Sequence, residues 1–160
     1  MRTAICPGSF DPVTNGHMDI LRRTAGLFDK VIVAVMDNYY KTAHAFTAAE
    51  RVALLARCTD DLPNVEVRTA NGLLADLAEK VGADAVVKGL RAVSDFETEF
   101  QQALTNKQIN PQLETVFLAA DAEWMFLSSS VVKQVAQYGG DIARFVPACI
   151  HDEVRQRLTA

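Results

Sequence analysis

Short apolar runs rich in β-branched residues alternate with amphipathic helical patterns along this 160-residue chain, and this alternation constrains its fold most. The clearest run is residues 30–36, KVIVAVM, which predicts a fully buried strand. Further strands are predicted at residues 3–6, 65–68, 85–88 and 115–119. Strands separated by helices pair in parallel. The sequence therefore predicts an α/β fold with a doubly wound sheet of about five parallel strands and helices on both faces.

Capping signals mark several of the helices between these strands. Two residue pairs have the spacing of a capping box, namely Thr47 with Glu50 and Ser94 with Glu97. An apolar stripe that is closed by Gly82 predicts a helix over residues 73–81. Further helices are predicted at residues 128–138 and 152–158.

Length and composition narrow the class of protein. A chain of 160 residues predicts one domain, spanning residues 1–160. The net charge of −4 argues against a nucleic-acid partner. No apolar run reaches the length of a membrane span and the first residues lack a signal-peptide pattern, so we expect a cytoplasmic protein without a membrane partner. Cys6, Cys58 and Cys149 are odd in number and widely spaced, which predicts neither a structural zinc site nor a disulfide framework.

The segment after the first strand has the pattern of a phosphate site. The strand is expected to stop at Pro7-Gly8, and Thr14-Asn15-Gly16-His17 then opens a helical pattern. A helix front of this kind offers backbone N–H groups and a positive dipole end to an anion. Gly16 permits close approach, and His17 is a cationic or a neutral donor according to its protonation. An isolated helix-front histidine more often packs on the sheet, but the glycine and the preceding turn favour the phosphate interpretation.

Two other clusters follow the carboxyl ends of predicted strands, where ligands bind in such sheets. Lys88-Gly89-Leu90-Arg91 places two cations around a glycine, an arrangement that suits an anion better than solvent-directed side chains do. Ser128, Ser129 and Ser130 open a helix, where they can cap it or present hydroxyl and amide groups to phosphates. Gly-x-Gly-x-x-Gly and Walker A patterns are absent, which excludes a hydride-transfer dinucleotide site and a P-loop.

The segment CPGSFDPVTNGH at residues 6–17 resembles the signature of the nucleotidyltransferase superfamily marked by an (H/T)-x-G-H motif. Its Pro-Gly-Ser-Phe-Asp-Pro start is similar to the bacterial phosphopantetheine adenylyltransferase family. Residues 88–97 and 124–130 match later motifs of that family in the right order, so the resemblance covers nearly the whole chain. It implies a Rossmann-like fold and an enzyme that transfers the adenylyl group of ATP to 4'-phosphopantetheine, which yields dephospho-coenzyme A and pyrophosphate.

The resemblance also implies roles for individual residues. Catalysis is assigned to His17, Lys41 and Arg91. ATP binding is assigned to Ser9, Phe10, His17, Gly89, Leu90, Arg91, Glu99, Trp124, Met125, Phe126, Leu127, Ser128, Ser129 and Ser130. Binding of the acceptor substrate is assigned to Ser9, Lys41, Leu74 and Lys88. No protein ligands for a metal are evident, so we expect Mg²⁺ to arrive with ATP and to be held mainly by the nucleotide and water.

The chain departs from the family pattern at two places. Lys41 stands five residues before Phe46 instead of four, and Thr98 replaces a frequent tyrosine. Leu74 has an equally good interpretation as a core residue, and His44 has no family role. Two other functions stay open: a related nucleotidyltransferase that acts on another phosphate acceptor, and a non-catalytic nucleotide-binding module. Relatives of this family form hexamers that coenzyme A inhibits, so a homohexamer with feedback binding of coenzyme A is expected.

Overall fold

The computed structural model describes residues 1–37 and 43–160, and within them five parallel strands form one sheet. The strands are β1 (Thr3–Gly8), β2 (Lys30–Met36), β3 (Val65–Ala70), β4 (Ala85–Leu90) and β5 (Glu114–Ala119). Their order in the sheet is β3-β2-β1-β4-β5. The predicted α/β fold with a sheet of about five parallel strands is therefore confirmed.

Helices cover both faces of the sheet. They are α1 (Asn15–Leu27), α2 (Ala48–Cys58), α3 (Leu74–Val81), α4 (Val93–Ile109), α5 (Ser129–Gln137) and α6 (His151–Thr159). Alternate residues of β2 divide the core: Val31, Val33 and Val35 join the cluster under α1, α2, α5 and α6, whereas Ile32 and Ala34 join the cluster under α3. No helix in the described part of the chain is long and apolar enough to cross a bilayer.

The capping predictions were right at two of three places. Thr47 and Glu50 form a reciprocal capping box at the start of α2, and Gly82 ends α3 with a left-handed φ of 67°. The capping box at Ser94 was wrong. The first residue of α4 is Val93, because the chain turns into the helix directly after β4, and the N-cap residue Ala92 makes no side-chain cap bond.

The central strand β1 separates from β4 at the carboxyl edge of the sheet. β1 runs two residues beyond its predicted end, because Pro7 and Gly8 stay paired with Ala34 and Val35 of β2. Towards β4 the ladder contains two pairs, Ala4 with Ala85 and Ile5 with Val86. Proline has no N–H to extend a ladder. The two strands diverge beyond these pairs, at the point where the strand order reverses.

A buried arginine holds the chain together below this edge. The side chain of Arg51, on α2, is 1% exposed. Its Nη1 donates to the carbonyl of Ser9 at 2.8 Å and to that of Met36 at 3.2 Å, and its Nε donates to the carbonyl of Phe46 at 3.2 Å. Arg51 thus joins the turn after β1, the end of β2 and the segment that leads into α2.

We expect Arg51→Met to destabilise the fold strongly. The substitution removes the donors of three carbonyls, and each buried carbonyl left unpaired costs about 1–3 kcal/mol. Arg57→Met on the same helix is the matched control, because Arg57 is about half exposed and an exposed ion pair contributes about 1 kcal/mol or less. Chemical denaturation gives both free energies of unfolding, and equal losses in the two variants would contradict the role of Arg51.

Candidate active site

The gap between β1 and β4 opens into a pocket of about 260 Å³. Three segments that are far apart in the sequence meet there, namely the turn from β1 into α1, the end of β4, and the segment that leads into α5. The predicted site residues in its wall are Phe10, His17, Lys88, Gly89, Arg91, Glu99, Trp124, Leu127, Ser128 and Ser129. The structure therefore brings all three sequence clusters to one place.

His17 is held by a capping box at the front of α1. Its backbone N–H donates to the hydroxyl oxygen of Thr14 at 3.2 Å, and the N–H of Thr14 donates to His17 Nδ1 at 3.0 Å. An amide can only donate, so Nδ1 carries no proton and a neutral ring holds its proton on Nε2. The ring of Phe10 packs edge-on against the imidazole, with centroids 5.0 Å apart.

The electrostatics of the pocket keep His17 uncharged. Burial of the ring, followed by the positive charges of Arg91 and Lys88, lowers the pKa of His17 to about 4. Of the two protonation states that the sequence left open, the structure supports the neutral one at pH 7. His17 then offers one hydrogen-bond donor, the Nε2–H group.

The front of α1 has fewer unpaired amides than the sequence suggests. The N–H of Asn15 donates to the carbonyl of Phe145 at 2.8 Å, and that of His17 is used by Thr14. Two of the first three helical amides are therefore engaged within the protein. Gly16, between them, lines the pocket.

The two predicted cations have separate anchors. Arg91 Nη1 donates to the carbonyl of Leu127 at 2.6 Å, and Arg91 Nε lies 3.5 Å from a carboxylate oxygen of Asp95. Lys88 Nζ lies 3.4 Å from Glu99 Oε2. The predicted acceptor-binding lysine and the predicted ATP-site carboxylate thus pair with each other, and both line the pocket.

The three serines have different surroundings. Ser128 caps α5, because its hydroxyl oxygen accepts a hydrogen bond from the N–H of Val131 at 3.2 Å. Ser129 donates to the carbonyl of Pro12 at 2.7 Å, which joins α5 to the turn after β1. Ser130 is exposed and does not line the pocket.

Comparison with known proteins decides the family. Residues 5–135 match the model of a family described as cytidylyltransferase-like. The phosphopantetheine adenylyltransferase of Caldanaerobacter subterraneus subsp. tengcongensis is 53% identical over 99% of this chain and 98% of that protein. The protein of the same name from Rubrobacter xylanophilus is 53% identical over 98% of this chain and 94% of its own length. This chain belongs to the phosphopantetheine adenylyltransferase family.

A more distant structure supports the fold alone. A Vibrio parahaemolyticus protein of solved structure, provisionally assigned as a nicotinate-nucleotide adenylyltransferase, matches with a TM-score of 0.68. It is 19% identical, and the match covers 98% of this chain and 96% of that chain. This chain and that protein thus share one fold, a Rossmann-like α/β sheet covered by helices.

Several residues that the family resemblance implicates lie away from the pocket wall. Met125 and Phe126 are 50% and 56% exposed, and the Phe126 ring packs on Phe145. Ser9 and Leu90 are next to lining residues without lining the pocket themselves. Lys41 lies outside the described residues, so its role in this family member stays a prediction.

Leu74 belongs to a second, much smaller recess. Lys88 and Glu99 line both this recess and the main pocket, so their ion pair forms a wall between the two. The other residues around the recess are Val86, Gln102, Ala103, Asn106 and Thr115.

A buried carboxylate that the sequence analysis passed over organises the loops beside the pocket. Asp11 accepts hydrogen bonds from Lys133 Nζ at 2.7 Å and from the amides of Ala45 and Phe46 at 2.9 Å each. Burial raises the pKa of Asp11, but these hydrogen bonds outweigh burial and lower it below its usual value. His44 also lies here, with Nδ1 3.5 Å from Asp11. The motif Ser-Phe-Asp-Pro contained the signal, since an aspartate inside an otherwise apolar turn needs partners.

The described residues do not form a protein cage for a metal ion. No group of three or more His, Cys, Asp or Glu side chains within residues 1–37 and 43–160 is arranged to hold one. Glu99, the carboxylate in the described pocket wall, is already paired with Lys88.

We expect His17 to make the fold sensitive to mild acid. Its pKa is about 4 in the folded protein against an ordinary value of 6.5, so the unfolded chain binds a proton that the folded protein does not. The stability contributed by neutral His17 is complete above about pH 6.5 and is lost as the pH falls towards 4. His17→Gln keeps an acceptor for the Thr14 amide but does not titrate. Between pH 7 and pH 4, the free energy of unfolding measured by denaturation should fall less in the variant than in the wild-type protein. The same pH dependence in both proteins would contradict the low pKa of His17.

Proposed function

We propose that this protein transfers the adenylyl group of ATP to 4'-phosphopantetheine and releases pyrophosphate, a step of coenzyme A biosynthesis. The observation that carries the proposal is the pocket itself, in which a neutral histidine donor and two anchored cations converge at the switch point of the sheet. Near-full-length relatives named phosphopantetheine adenylyltransferase, at 53% identity, support the same acceptor.

The reaction needs stabilisation of negative charge rather than a covalent intermediate. A phosphate oxygen of the acceptor attacks the α-phosphorus of ATP, and the bond to the β-phosphate oxygen breaks as pyrophosphate leaves. The Nε2–H of His17 donates to a phosphoryl oxygen on which charge grows. Because the capping box fixes both the tautomer and the direction of the ring, this donor needs no reorganisation during the reaction.

Arg91 and Lys88 supply the positive charge. The carbonyl of Leu127 holds Arg91 beside the segment that leads into α5, which orients the rest of its guanidinium fork for phosphate oxygens. Lys88 stands at the wall between the pocket and the Leu74 recess. In this proposal ATP occupies the main pocket, the pantetheine arm lies beyond Lys88 on the side of Leu74, and Lys88 serves the acceptor phosphate between them. Lys41 contributes a further cation to that phosphate.

Mg²⁺ accompanies ATP and is carried by the phosphates and water. The donor set fits this arrangement, because Glu99 in the pocket wall is already paired with Lys88, and Asp95 beside the pocket is paired with Arg91. When bound, the ion neutralises part of the polyphosphate charge.

An exposed apolar stripe on α4 bears on the assembly of the protein. The helix α4 buries none of its residues and exposes Val93, Phe96, Phe100 and Leu104 at helical spacing. Such a stripe on a water-soluble chain favours contact with a second copy, and the protein forms a cytoplasmic homohexamer. Coenzyme A, which contains the pantetheine arm and an adenine nucleotide, binds the same pocket as a feedback ligand.

An acceptor panel tests the reaction. Pyrophosphate release from ATP is expected with 4'-phosphopantetheine, and not with nicotinamide mononucleotide or without an acceptor. Equal release with nicotinamide mononucleotide would assign the chain to another acceptor, and ATP binding without turnover on any acceptor would indicate a nucleotide-binding module.

Two substitutions at His17 separate its catalytic role from its capping role. We expect His17→Ala to lower kcat roughly a hundredfold to a thousandfold, the usual cost of one transition-state donor, with little change in ATP affinity. His17→Glu restores the capping box, because glutamate is a normal residue at that helix position, but an ionised carboxylate has no N–H group to donate. Its thermal stability should therefore recover while kcat stays low. Recovery of kcat in the glutamate variant would reduce His17 to a structural residue.

A further inference from the structure

The fold places two cysteines in contact although 91 residues separate them in the sequence. Cys58 Sγ and Cys149 Sγ lie 3.7 Å apart, and both are free thiols. Cys58 is the last residue of α2, and Cys149 is the middle residue of the short turn Ala148–Ile150 that leads into α6. Their wide spacing gave no sign of a pair in the sequence.

Other contacts fix the positions of the two backbones. Leu55 of α2, Ile150 of the turn and Val154 of α6 share one buried cluster. Arg57 and Glu153 form an ion pair between α2 and α6. Arg57 comes one residue before Cys58, and Glu153 comes four residues after Cys149. The two sulfurs of a disulfide are about 2.0 Å apart. Side-chain rotation therefore has to shorten the distance between the two Sγ atoms by roughly 2 Å while both backbone elements stay in place.

The two thiols differ in access to solvent. Cys149 is exposed, whereas Cys58 lies beneath it and is buried. Burial, followed by the contact with Cys149, raises the pKa of Cys58 to about 12. Cys58 is therefore shielded from direct oxidation but stands next to any oxidised sulfur that forms at Cys149. An exposed thiol beside a second cysteine is the arrangement of redox-sensitive pairs.

We propose that Cys149 and Cys58 form a reversible intramolecular disulfide when the protein reacts with hydrogen peroxide. The Cys149 sulfur attacks the peroxide oxygen, the O–O bond breaks, one water leaves, and Cys149 becomes a sulfenic acid. The Cys58 sulfur then attacks the Cys149 sulfur, the S–O bond breaks, and the oxygen leaves as a second water with the proton of Cys58. Two thiols are oxidised by two electrons in total, and one hydrogen peroxide is reduced to two waters.

The cross-link joins the end of α2 to the start of α6. Arg157, further along α6, donates to the carboxylate of Glu50 and to the carbonyl of Ala45 at the other end of α2. A disulfide would thus close a long loop whose ends are already packed together, which stabilises the fold by restricting the unfolded chain. Neither cysteine lines the main pocket, so the oxidised protein is expected to keep its activity.

The test uses the purified full-length protein and hydrogen peroxide. The number of thiols titrated under denaturing conditions should fall from three, the number of cysteines in the sequence, to one. The intact mass should be lower by two hydrogens, and digestion should release a peptide that links Cys58 to Cys149. Dithiothreitol should restore all three thiols. The melting temperature of the oxidised protein is expected to rise on the order of 5–10 °C.

Single substitutions identify the pair. Cys58→Ser and Cys149→Ser should each prevent the cross-link, so that two thiols are no longer lost together and the melting temperature no longer rises. Cys6→Ser should leave the cross-link intact. A melting curve of each variant in dithiothreitol shows whether that variant is folded. The thiol count of the wild-type protein tests the proposal even if a variant fails to fold. Peroxide treatment that leaves three thiols, produces higher oxides of Cys149 alone, or gives disulfides between protein copies would overturn the proposal.

Discussion

The brevity of the β1–β4 ladder is the constraint on which the site depends. Two residue pairs hold these central strands together, and beyond them Pro7 cannot supply an N–H. The strands are still fixed on their outer sides, since β1 pairs with β2 as far as Gly8 and β4 pairs with β5 as far as Leu90. The sheet therefore opens at one point without losing rigidity on either side, and the pocket is the space that results.

The residues around this opening serve the fold and the chemistry together. The hydrogen bond that begins α1 also fixes the proton of His17 on Nε2. The carbonyl that ends the segment before α5 also holds the guanidinium of Arg91. Both polar groups are thus held in place by hydrogen bonds with the backbone, which is the preorganisation that electrostatic stabilisation of a phosphoryl transition state needs.

The sheet could be predicted because each buried strand is a short apolar run that is visible in the sequence without knowledge of its partners. The bounds of β2 were predicted to the residue. The same logic placed the three site clusters at one edge, since parallel strands share their carboxyl ends. Local patterns did not predict Arg51, Asp11 or the Cys58–Cys149 contact. These residues have partners 42, 122 and 91 residues away, so the interactions exist only after the chain has folded. An arginine within a helix gives no local sign of whether it will be buried, and the turn around Asp11 signals a need for partners without naming them.

Because α4 has no buried residue, the part of the pocket wall that it carries should open locally more easily than the rest. Resistance to local opening depends on buried contacts, and α4 has no buried residue whereas α2 has four in the described structure. Backbone amides of α4 should therefore exchange with deuterium sooner than those of α2 in a single copy of the chain. Glu99 lies on α4 and pairs with Lys88, so the ion pair at the boundary between the two cavities depends on a helix that has no buried residue. A surface that covers the apolar stripe of α4 would at the same time steady that carboxylate, and the order of the site would then depend on contacts made outside it.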